Sequence, residues 1–231
     1  MTNYPTRTYR ELLTATGITA GVGRGASGQT KDRLDVFINS ALRMGWEGYR
    51  WPYLTVIEEA TAGDASDYNE ENVINITRQD PAQLINPEPV VWGINHNGIT
   101  VFDDRVEDDT DLFYVYMERF YPLYGEDYSA TTTYAENELA YSQADGDWFR
   151  SIVAANTGNP LARDNFWEKR SIPAFLFDFT RCSAAAEWHD SQGDIEEATA
   201  LRAQANTHLV SEIDKLEYQK GLIHRTQYPT R

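Results

Sequence analysis

The sequence predicts an α+β fold, a helical bundle carrying an antiparallel β-rich insertion module, and three observations predict it. Apolar residues recur at three- and four-residue spacing near both ends of the chain. Between these ends, residues 72–155 hold short β-branched and aromatic runs separated by turn residues. With 231 residues, 41% of them hydrophobic, the chain can bury a core of its own.

Taken in order, Thr8 to Thr16 reads as a short helix, followed by a glycine-rich irregular stretch from Gly17 to Gly28. From Lys31 to Met44, Leu34, Phe37, Ile38, Ala41 and Leu42 fall on one helical face, with Thr30 as N-cap and Gly45 as the stop. "WEGYRWPYLT" then resists helix through its proline. The strand candidates are "NVINI", "VVWGI", "GITVF", "DLFYVYMERF", "ELAYS" and "WFRSIVAA". Asn97-Gly98 is a type I′ hairpin signal, and Asp145-Gly146 marks a second turn. After Pro173 one apolar segment runs to Gly193, and Ile195, Ala198, Leu201, Ala205, Leu209, Ile213 and Leu216 then repeat at helical spacing. The resulting division is an N-terminal helical part at 1–60, a β-rich module at 61–171, a C-terminal helical hairpin at 172–220, and an extended tail at 221–231.

Charge narrows the function. Acidic residues number 36 against 20 Lys plus Arg, for a net charge of −16 and a pI near 4.6, which disfavours a nonspecific phosphate-backbone clamp. No apolar run approaches the roughly 20 residues that span a bilayer, and the start lacks a signal-peptide core, so a protein made in the cytoplasm is expected.

Motifs for chemistry are weak. "GRGASGQT" at 23–30 nearly makes a phosphate loop and contains a literal G-x-G-x-x-G, but Gln29 stands where the lysine belongs and no strand feeds the glycines. A hinge or contact loop is the expectation. His96, His189, His208 and His224 are scattered without metal-ligand spacing; His208 and Glu212 share a helical face of a solvated kind. Cys182 sits in an apolar run without a nucleophile signature, and no serine elbow occurs. The acidic run Asp103 to Asp111 lacks the glycine and terminal glutamate of a calcium loop and reads as a solvated turn. No catalytic residue, metal or cofactor is expected, and an enzyme ranks low. Tyr141, Trp148, Phe149, Phe166 and Trp167 either stack on sugar rings, with Trp148 and Trp167 as the platform, or form the module's own core.

The order of segments resembles the head-to-tail adaptor proteins of tailed bacteriophages. The matching pieces are "TYRELLTATGI", "DRLDVFINSALRMGWEGYRWPYLT", "VVWGINHNGITVFDDR", "FYVYMERFYPLYG", "YSQADGDWFRSIVAANTGNPLARDNFWEKRSIPAF" and "AAAEWHDSQGDIEEATALRAQANTHLVSEIDKLEYQKG". The resemblance implies a structural virion subunit beneath the portal ring, repeated as a ring, dodecameric in that family, and joined to the next neck or tail protein. DNA would pass its acidic lumen without specific binding. Trp46, Tyr49, Trp51 and Tyr53 are the candidate subunit-interface residues, aromatics being enriched at interfaces. The C-terminal segment, basic and free of acids, is the candidate portal-binding element through Lys220, His224, Arg225, Tyr228 and Arg231. The competing function is a carbohydrate-binding module of a phage tail or a polysaccharide-degrading system.

Overall fold

The computed structural model describes residues 4–24, 27–67, 73–82, 87–96 and 98–226, with side chains as far as Tyr218 except those of 66 and 67. In chain order β1 (Thr6–Arg7), α1 (Tyr9–Thr19) and α2 (Gln29–Glu47) come first. There follow β2 (Thr55–Thr61), β3 (Val73–Thr77), β4 (Trp92–Asn95), β5 (Gly98–Val101) and β6 (Asp111–Met117). Next are β7 (Glu126–Asp127), β8 (Thr133–Tyr134), β9 (Leu139–Ser142), β10 (Asp147–Ser151), β11 (Asn156–Thr157), β12 (Trp167–Arg170) and β13 (Ile172–Pro173). The chain closes with α3 (Ala174–Gln192) and α4 (Ile195–Thr226). This is the mixed α+β class the sequence predicts. The β-rich middle does not stay together, however: residues 49–121 form one compact unit, while 122–231 join residues 1–48 in the other.

In the unit of residues 49–121, β6 is the central strand of an antiparallel sheet ordered β2-β6-β3. β2 pairs with β6 along its whole length, from Thr55↔Met117 to Thr61↔Asp111. The sequence reading missed β2, although "TVIEEAT" opens with three β-branched residues. β4 and β5 form the expected hairpin, with its turn displaced. Asn95 pairs with Gly98, and Gly98 at φ 99° is already the first strand residue. Asn97 lies outside the described residues. Val73, Ile76, Val90, Ile99, Leu112 and Tyr114 form this unit's own core.

The other unit is built on helices. Thr8 caps α1 in a reciprocal pair with Glu11, and Gly17 does not stop that helix, which runs to Thr19. Gly28, at φ 54°, precedes α2, so the helix begins at Gln29 and Thr30 lies inside it rather than capping it. Gly45 does not end α2 either. A Cβ there would lie 2.9 Å from the Phe179 ring, so this glycine lets α3 approach closely, and the helix continues to Glu47. Gly193, at φ 83°, ends α3 as expected. α3 and α4 share two core clusters, Ala185 and Ala186 with Leu201, and Phe179 and Cys182 with Ala205. Residues 221–226 continue α4 and are not extended, because one glycine costs only about 1 kcal/mol in a helix interior.

Strands β12-β10-β9-β7 form a sheet of this same unit, and β1 pairs with β13. The expected turn at Asp145-Gly146 closes β9 to β10, with Gly146 at φ 72°. The sheet is fastened to α1 by polar contacts. The Arg10 amide donates to the Gly146 carbonyl at 2.9 Å, and the Arg10 guanidinium donates to the Gln143 carbonyl.

Candidate functional site

The buried carboxylate of Asp147 gathers the sheet and the first helix. It accepts from the Tyr9 amide at 2.8 Å and the Ser171 hydroxyl at 2.8 Å, and Lys169 Nζ lies 3.2 Å away. Burial raises its pKa above the ordinary carboxylate value, opposed by those three donors. Tyr9 in turn donates its hydroxyl to Asp35 at 2.6 Å, and burial followed by the Asp35 charge pushes that phenol well up. Asn39 of α2 makes a second fastening: its side-chain amide donates to the Leu123 carbonyl at 3.1 Å, and the Leu123 amide donates back. These are structural clasps. The Asp147 carboxylate, the Tyr9 hydroxyl and the Asn39 amide are each matched by partners within the protein.

The candidate sugar platform is interior. Trp148 is 4% exposed, held between Tyr9 at 5.8 Å and Tyr141 at 5.1 Å. Trp167 is 2% exposed, packs edge-on to Tyr134 at 5.0 Å, and donates its indole N–H to the Asn159 carbonyl at 3.0 Å. The aromatic constellation is therefore core, since a small sheet needs large rings to fill it. The same physics corrects the interface set. Trp51 and Trp46 are buried, Tyr49 is half-buried with its ring 5.0 Å from that of Trp51, and Tyr53 alone of the four is exposed.

Other candidates resolve locally. The glycine-rich loop joins one helix to another, without the strand that a nucleotide cradle requires. Asp103 is spent on Arg105, whose guanidinium hydrogen bonds hold that carboxyl well below its usual range, and Arg105 also reaches Glu88. Burial pushes the Cys182 thiol up, which disfavours the nucleophilic thiolate. Among the described residues no group of three His, Cys, Asp or Glu side chains could hold a metal ion, and no helix is long and apolar enough to cross a membrane.

α4 offers a further surface candidate. It has 32 residues against 19 in α3, so about 20 Å of it outlasts its partner helix. Lys220, His224 and Arg225 stand in its last turns, with side chains outside the described residues; Tyr228 and Arg231 lie outside them altogether. The outer side of α4 presents Asn206, Thr207, Val210, Ser211, Asp214, Lys215 and Tyr218 on an open face. Val210 and Tyr218 are 53% and 70% exposed. Sequence reasoning used the inward apolar series of α4 and missed this outward one. The signal was present: between Glu197 and Glu212 the ionised side chain is Arg202, which turns back onto Asp190 and Glu187 of α3.

No protein-family model matches the chain, and no curated protein matches it in sequence.

Proposed function

We propose that the protein is a structural virion subunit, a head-to-tail adaptor that forms a ring beneath the portal and joins it to the next neck or tail component. The observation that carries this reading is the long final helix. α4 is 32 residues long against 19 in α3, and from Lys220 onward the sequence holds Lys220, Arg225 and Arg231 and no acid, on a chain of net charge −16. A basic extension on an acidic body suits docking into an acidic partner surface. The acidic body also suits a conduit, because like charge lets DNA pass without adhering. The resemblance of the segment order to that of phage adaptors is the further support for this reading. Its sites are the virion junction after assembly and the host cytoplasm before it.

Truncation before Gly221 tests the reading. The shortened chain is expected to keep its circular dichroism and thermal midpoint, since Leu216 is the last buried residue described, and to lose association with the portal rings of its own particle. Undiminished association would remove the C-terminal segment from the mechanism.

A further inference from the structure

The β4–β5 hairpin is an uncharged segment in a strongly acidic unit. Residues 49–121 hold 15 Asp and Glu against four Arg and no Lys, a net charge of −11, yet the 14 residues from Pro89 to Phe102 contain no Asp, Glu, Lys or Arg. Trp92 and Val101 pack with Ile99 on the core of the unit. Val91, Ile94 and Phe102 do not, and are 60%, 57% and 55% exposed.

β4 and β5 form a sheet of two, so β4 is an edge strand. The Phe102 amide donates to the Val91 carbonyl at 2.8 Å, and bonded pairs alternate along an antiparallel ladder. Val91, Gly93 and Asn95 therefore bond to β5, while Trp92 and Ile94 turn their backbone groups away from it. On that side the Val90 amide donates to the Ile76 carbonyl at 3.0 Å, and among the described residues the pairing with β3 goes no further. β2, another edge strand of this unit, carries exposed Glu58 and Glu59, charges of the kind that keep a foreign strand off. β4 carries none.

Both faces of the β4 edge are apolar. Val91 and the Phe102 ring stand on one face, the ring lying across Gly93, where a Cβ would come within 3.0 Å of it. Ile94 stands on the other. A strand added beside β4, apolar on both faces, would cover all three. Charge supplies the rest of its chemistry, because a unit of net charge −11 attracts a basic segment and repels an acidic one, a second copy of itself included. We propose that β4 is a receptor edge for an extended segment of another protein, apolar at its centre and flanked by Lys or Arg, which adds as a strand along Trp92–Asn95. The proposal does not rest on the adaptor reading, whose test is truncation of the C-terminal segment.

Screening a library of terminally blocked octapeptides against the full chain tests it. Selected peptides are expected to carry β-branched or aromatic residues at the centre and Lys or Arg at the ends, and to lose about tenfold in affinity between about 50 mM and 500 mM salt. Val91→Glu and Ile94→Glu, at exposed positions, are expected to keep the circular dichroism and to weaken binding about tenfold. Hydrogen exchange should show the bound peptide slowing the Trp92 and Ile94 amides while Gly93, already bonded to β5, is unchanged. Acidic or uncharged selected sequences, equal binding to both variants, or no selected peptide at all would overturn the proposal. So would binding that leaves the Trp92 and Ile94 amides unprotected, which reports contact with a face and not a strand. A disulfide-linked dimer of Ile94→Cys in the chain alone would give the edge to a second copy and overturn the basic partner.

Discussion

Residues 49–121 and 122–173 look alike in sequence, both made of short β-branched and aromatic runs between turns, yet they take opposite places. The first stretch buries its own apolar set around Ile76, Leu112 and Tyr114. The second is fastened to helices by Asp147, Asn39 and the Arg10 contacts. The difference teaches that strand propensity says where strands form, whereas the membership of a strand in one unit or another depends on long-range partners. The Tyr9–Asp147 bond spans 138 residues and leaves no local trace.

The strongest way to break this comparison is Leu112→Ala, which empties a fully buried site in the unit of residues 49–121 and is expected to cost about 3.5 kcal/mol there. Hydrogen exchange should show lost protection in β3 and β6, with α3 protected as before. Asp147→Ala should act on the other unit, at a cost of about 3 kcal/mol, because it strands the Tyr9 amide and the Ser171 hydroxyl. Its signature is faster exchange in α1 and β10 together, with β6 unchanged; uniform loss in both units would mean that they unfold as one. Asn39→Ala removes both bonds to Leu123 and is expected to cost about 2 kcal/mol, read as a lower thermal midpoint of the helical unit. Gly45→Ala gains helix propensity but crowds Phe179, for a net loss of about 1 kcal/mol.

The smallest effect is pH-dependent. Arg105 depresses the Asp103 pKa in the folded state, so this pair's contribution is present above the unfolded carboxylate value, near 4, and lost as pH falls through the folded value. Asp103→Asn should therefore lower the thermal midpoint at pH 7 and have progressively less effect below about pH 4. A pH-independent deficit would assign Asp103 a packing role instead.

Much of the secondary structure was legible, because it rests on local rules. The apolar series of α2 and α4, the positive-φ glycine after α3, and the β9–β10 turn all follow from spacing and turn chemistry. Gly45 and Gly221 misled for a physical reason: a glycine inside a helix serves close packing or is simply tolerated, and the neighbour that decides between these is elsewhere in sequence. The aromatic sites failed similarly, since Trp46, Trp51, Trp148 and Trp167 are equally suited to a core and to an interface, and burial alone separates the two. The outward face of α4 was readable in principle, as a stretch between Glu197 and Glu212 in which the one Asp, Glu, Lys or Arg is Arg202, in a strongly acidic chain.

The central claim concerns position in a particle, and electron microscopy of particles carrying a tagged copy of this chain addresses it most directly. The adaptor account predicts label at the junction directly beneath the portal, repeated around the particle axis. Label at the tail tip or on fibres, or its absence from complete particles, would contradict it.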